Sequence, residues 1–206
     1  MNTELPEKNF IYFIKSNSKI FTYSIAVLIL LTVIFSWFIY DSKQEKIKIS
    51  EDFVRAQVLI NNNNKNDAKE ILKGIVEKKN TVYSSLSLFL LIDKNLIEDK
   101  NIVLSYFDLL IDNNSYSEED EDLLRLKKAI YISDNKKEQE ILQLLNPVIN
   151  SNSVWKAQAL KFIGDYYYST NQFKKAKQYY SVLLQGDNND ISKEDINRKI
   201  NSIKNE

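Results

Sequence analysis

Carboxylates, amines and phenols supply most of the reactive side chains in this chain. Its 206 residues include 28 Lys and Arg, 28 Asp and Glu and 12 Tyr, but no His and no Cys. Without His, the commonest general base and metal ligand is missing. Without Cys there is no thiol nucleophile, disulfide or lipid attachment point, and the chain suits either redox compartment. The three glycines, Gly74, Gly164 and Gly186, are too few and too widely spaced to cradle a phosphate. Paired carboxylates acting as acid and base are the catalytic route that remains, and no pair stands out by its spacing. The composition therefore predicts a protein that binds and does not catalyse, with no cofactor, no metal and no small-molecule substrate.

Charge patterning narrows the partners. Three of the basic and two of the acidic residues precede Tyr40, which leaves 25 basic and 26 acidic residues beyond it. Such a balance, with no basic stripe, argues against nucleic acid. The run Ser117-Glu118-Glu119-Asp120-Glu121-Asp122 has the look of an acidic docking site, yet it reads more simply as a helix start. Ser117 would cap, and the carboxylates would meet the positive end of the helix dipole. Phe173-Lys174-Lys175-Ala176-Lys177 could meet anionic lipid or an acidic peptide, but a solvated helix face is the default reading.

The elements that must position these groups begin with a span. Residues 20–40, from Ile20 to Tyr40, contain no charge, Pro or Gly. Twenty-one residues at about 1.5 Å each reach roughly 30 Å, the thickness of a bilayer's hydrocarbon core. Tyr23 lies near one end, with Trp37 and Tyr40 near the other, as an interfacial aromatic belt requires. The segment is too long for the apolar core of a cleaved leader, and no small-x-small site follows it. Lys8, Lys15 and Lys19 precede the span while Lys43, Lys46, Lys48 and Arg55 follow it, so Lys/Arg bias leaves the orientation open. No small-x-x-x-small pattern supports pairing of spans. The predicted organisation is a segment 1–19, a transmembrane helix 20–40 and a helical domain 41–206.

Beyond residue 41, apolar residues recur at three- and four-residue spacing and no stretch alternates at period two, so the fold class is all-α. Polar breaks, many built on Asn, fall at 61–64, 79–80, 98–99, 112–115, 133–135, 150–152, 170–171 and 186–190. Asn tolerates the left-handed conformation that ends a helix, a task Gly usually performs. Breaks about 15 to 20 residues apart predict helix pairs joined by tight turns.

The most telling pair spans residues 157–184. Gly164 sits at a small position of the first helix, with Ile163 before it and Tyr167 three residues on. Ala176 takes the small position of the second helix, followed by Tyr180 and Leu183. Small residues let two antiparallel helices approach, and the large ones fill the space around them. This arrangement resembles a tetratricopeptide repeat, with Leu160, Leu183 and Asn188 as departures. Ala56, Leu59, Ala68, Leu72 and Ile75 fit the same template; Ala129, Ile132, Ile141, Leu145 and Val148 fit less well. Leu91, Val103, Phe107 and Leu110 make a degenerate copy. The small positions Ala56, Leu91, Ala129 and Gly164 are separated by 35, 38 and 35 residues, close to the repeat period. The expectation is a right-handed α-solenoid of four helix pairs. Ser192 would cap a final helix carrying Ile196, Ile200 and Ile203 on one stripe, as a terminal cap requires.

In such a solenoid Tyr167 and Tyr180 are packing residues. Gln158, Lys161, Asp165 and Tyr168 fall on the other face of the first helix, where they are candidate groove contacts. Lys161 lacks the Asn companions that the basic clamp for a C-terminal carboxylate needs, so that ligand is not expected.

One uncharged span followed by degenerate repeats, with Leu145-Asn146-Pro147, then Trp155-Lys156-Ala157-Gln158-Ala159, then the Gly164 and Ala176 pair, resembles the ancillary SecYEG-translocon subunit family. The resemblance implies a single-pass protein of the bacterial inner membrane with its repeats in the periplasm. It implies partners among translocon subunits, periplasmic chaperones or exported chains, and a scaffold or chaperone-like role. The alternative is an adaptor of the same repeat type in envelope assembly or division.

Overall fold

The computed structural model describes residues 18–135, 137–186 and 191–203. Residues 1–17 of the expected leading segment lie outside these, as do residues 187–190 of the last expected break. Among the described residues the fold is all-helical. It comprises α1 (Ser18–Asn61), α2 (Lys65–Glu77), α3 (Tyr83–Asp93), α4 (Lys100–Ile111), α5 (Glu118–Ile132), α6 (Glu138–Asn150), α7 (Lys156–Ser169), α8 (Phe173–Gln185) and α9 (Lys193–Ile203), with a 3₁₀ turn at Ser133–Asn135 after α5. In chain order these follow the four expected pairs, α1/α2, α3/α4, α5/α6 and α7/α8, with a single last helix; the most extensive packings are α7 on α8, α2 on α3 and α5 on α6.

The chain divides into two compact units between Glu51 and Asp52. In the first unit, α1 carries the apolar span as part of one continuous helix. Its large apolar side chains from Tyr23 to Tyr40 stand between 41 % (Ile39) and 72 % (Tyr23) exposed. A core helix of a soluble protein would have buried them, so this helix has the length, composition and bare surface of a membrane span. Thr32 returns its hydroxyl to the Ile29 carbonyl at 2.7 Å, which satisfies a polar group without a neighbour.

In the second unit, the turns follow the Asn pattern. Asn63, Asn95 and Asn171 adopt left-handed φ values of 63°, 50° and 60°. After each, the next amide closes the preceding helix: Asn64 N donates to Leu59 O at 2.8 Å, Leu96 N to Leu91 O at 2.9 Å, and Gln172 N to Tyr167 O at 2.8 Å. This is the Schellman closure, with Asn in the usual Gly place. The α3–α4 break therefore starts at Lys94 and Asn95, earlier than residues 98–99, where Asp99 instead caps α4 by accepting from Asn101 N at 2.8 Å. The fourth left-handed residue is Lys79 (φ 53°), beside Asn80, whose side chain accepts from the amides of Val82 and Tyr83.

Burial follows the template. Ala56, Ala68, Ala129 and Ala176 are fully buried, as are Leu72, Leu91, Phe107, Leu110, Leu145 and Tyr180. The core forms two clusters that meet within α5, one ending at Leu124 and the other beginning at Leu126. Tyr131 packs against both. The most extensive helix contact is that of α7 with α8.

Candidate binding cleft

Gly164 determines how α7 and α8 meet. A Cβ at this position would lie 2.5 Å from Cε1 of Tyr180, far inside van der Waals contact. With hydrogen there, the Tyr180 ring crosses directly over the α7 backbone, and its hydroxyl donates to Asp165 Oδ1 at 2.7 Å. Lys199 of α9 donates to the same oxygen at 2.7 Å, and Lys161 donates to Oδ2 at 2.6 Å. Burial alone would raise the Asp165 pKa, but hydrogen bonds from Lys161, Lys199 and Tyr180 outweigh it and hold the carboxyl below the usual range. Burial and the Asp165 carboxylate both push the Tyr180 phenol up. Burial would lower the Lys199 ammonium, but Asp165 reverses that and raises it.

Beside this knot lies an open cavity of about 350 Å³, lined by Gln158, Lys161, Phe162 and Asp165 of α7 and by Ile191 and Ser192 ahead of α9. Gln158 Oε1 is buried without a hydrogen-bond donor among the described residues. Three of the four candidate groove residues thus line one cleft. The fourth, Tyr168, lies elsewhere: its hydroxyl shares a 3.1 Å hydrogen bond with Ser202 of α9, and its ring meets Phe173 edge-on at 5.6 Å.

The packing residues are where the repeat logic places them, with Tyr167 2 % and Tyr180 0 % exposed. Tyr167 also donates to Glu138 of α6 at 3.0 Å, while Lys175 and Gln172 reach the same carboxylate at 2.7 and 3.2 Å. Lys175 first, then Gln172, lower the Glu138 pKa. The acidic run behaves as a helix start: Ser117 Oγ accepts from Asp120 N at 3.2 Å, and Glu118, Glu119, Asp120 and Glu121 form the first turn of α5. Lys175 of the basic run is engaged by Glu138, while Lys174 and Lys177 are solvated. Among the described residues no three of His, Cys, Asp and Glu converge as a metal site would need.

Sequence reasoning missed Phe162, a wall of the cleft, although a signal for it exists. Phe162 and Asp165 stand two before and one after the small residue Gly164, and the same offsets can be read in every repeat.

Helix pairs, most with a small residue at the crossing, stacked in order and closed by a one-faced helix, define a helical-repeat protein. The family model for a tetratricopeptide repeat-like domain matches residues 12–205. The chain belongs to this family. It is 28% identical over 195 residues to a protein of Buchnera aphidicola subsp. Schizaphis graminum (strain Sg) named ancillary SecYEG translocon subunit, covering 89% of this chain and 93% of that one. No solved structure matches the chain.

Proposed function

We propose that this protein is a non-enzymatic, single-span inner-membrane subunit that works beside the SecYEG translocon, with its repeats in the periplasm. The observation that carries this reading is the near full-length similarity to a subunit of that name, span and repeats included. Tethering supports a scaffold role, because a membrane anchor raises the local concentration of the repeats at exit sites without any new contact. Translocon subunits, periplasmic chaperones and emerging chains are the proposed partners. The α7 cleft is the proposed contact, with Gln158 offering an acceptor and Lys161 and Asp165 a charged rim; Tyr168 would reach a ligand only by leaving Ser202.

Photocrosslinkers introduced at Gln158 and Lys161 in native membranes test the reading. Recovery of translocon components or exported chains is expected, and recovery of cytosolic proteins alone overturns it. A reporter fused after Glu206, or protease treatment of spheroplasts, tests the orientation: a protected domain would place the repeats in the cytosol.

A further inference from the structure

The offset that identifies Phe162 and Asp165 also picks out a second site. Phe89 and Ile92 stand two before and one after Leu91, and Lys127 and Ile130 stand two before and one after Ala129. These four side chains, with Asp93, Phe107 and Tyr131, line a cavity of about 370 Å³ walled by α3, α4 and α5. It occupies the same face of the first helices as the α7 cleft, two repeats earlier, but its chemistry differs. Phe107 is its buried floor, its ring 6.1 Å from that of Tyr131, while Ile130 remains 43 % exposed at the rim.

The charges at the rim set the occupant. Asp93 pairs with its sequence neighbour Lys94 at 2.8 Å on the exposed rim. Lys127 makes no ion pair among the described residues; its ammonium stands 5.8 Å from the centre of the Phe89 ring. The cavity therefore presents an apolar, aromatic floor beside one uncompensated positive charge. In the α7 cleft Phe162 stands at the register of Phe89 and Lys127, and Asp165, at the register of Ile92 and Ile130, is already held by two lysines.

We propose that the α3–α5 cavity is a second recognition site for polypeptide, taking one large apolar side chain that has a carboxylate next to it in sequence. Burial of the apolar group supplies the affinity, and the Lys127 ammonium, drawn off the Phe89 face, selects for acidic neighbours. The proposal rests on the reading of these repeats as a surface for polypeptide, but not on the identity of the translocon partner.

The test uses the full chain in detergent micelles and a fluorescein-labelled nonapeptide, blocked at both ends, with a central Phe between two Asp in a Gly-Ser background. Saturable binding by anisotropy is expected. Lys127→Glu should weaken it about tenfold and improve binding of the matching Lys-Phe-Lys peptide. Ile130→Asp, at a rim position 43 % exposed, should weaken both peptides. Lys174→Glu, on the solvated face of α8, should leave them unchanged, and a peptide with Ala for Phe should not bind. The proposal is overturned by absence of saturable binding up to about 1 mM, by equal binding of the Ala peptide, or by binding that Lys127→Glu leaves unchanged. Crosslinks from position 158 to the secretion machinery would survive such a result, so the two readings fail separately.

Discussion

The hairpins α3/α4 and α7/α8 occupy corresponding places in the repeat and are built in opposite ways. In α7/α8, Gly164 and Ala176 thin the crossing, the ring of Tyr180 lies in the gap, and polar atoms gather into a side-chain knot around Asp165. In α3/α4 the same register holds Leu91 and Val103, both buried, and α3 packs more extensively on α2 than on α4. Around it several polar groups reach backbone partners. Ser84 donates to Ile75 O at 2.6 Å, Tyr116 to Asn80 O at 3.1 Å, and Asn113 to Lys79 O at 3.1 Å. One hairpin is specified by what is left out between its helices, the other by bulk plus a laced turn. Either solution buries a hairpin's inner face, so the repeat needs volume complementarity and not a fixed residue.

Paired substitutions at equivalent positions sharpen this contrast. Leu91→Ala should show the largest effect, about 2–5 kcal/mol by chemical denaturation, because it empties a fully buried site. If small residues were what α3 needs, the same change would stabilise. Gly164→Ala should cost about 1–3 kcal/mol despite the better helix propensity of Ala, since the new methyl collides with the Tyr180 ring. Adding Tyr180→Leu should recover part of that loss, and a double-mutant cycle measures the coupling.

The two hairpins should also part in their response to acid. The Asp165 pKa is lowered by folding, so its contribution is present above the ordinary Asp range near pH 4 and is lost as pH falls through the lower folded value. Asp165→Asn should therefore flatten the acid limb of a Tm-versus-pH curve. Lys199 runs the other way: its folded pKa is raised, so its contribution holds below the usual Lys value and fades as pH rises through the folded one. The smallest effect is expected at the turn after α2. Lys79→Gly should raise stability by up to about 1 kcal/mol by relieving a left-handed φ of 53°. The same change at Asn171, where Asn already tolerates that conformation, should be close to neutral.

Much of the architecture was legible because it is written in local chemistry. Breaks at Asn63 and Asn171, the Ser117 cap and the Ser192 cap, which accepts from Asp195 N at 3.3 Å, each depend on residues within one turn. The α7/α8 hairpin was legible because its small residues are conspicuous. The cleft was only partly so. Helical register identifies Gln158, Lys161 and Asp165 as neighbours, but register within α7 says nothing about α9. It is α9 that supplies Lys199 to Asp165 and Ser202 to Tyr168. Similarly, Phe89 and Lys127 lie 38 residues apart in sequence, and only the stacking of one repeat on the next brings them to one cavity.

The closing helix has an implication for faulty synthesis. Ile196 is sealed at 0 % exposure, with Ile200 and Ile203 packed beside it, and Lys199 and Ser202 pin the same segment to α7. A product terminated around residue 190 would keep every hairpin yet end in a bare oily plate, with Asp165 at its edge stripped of Lys199. Proteolytic surveillance would have an obvious mark by which to tell finished copies from broken ones.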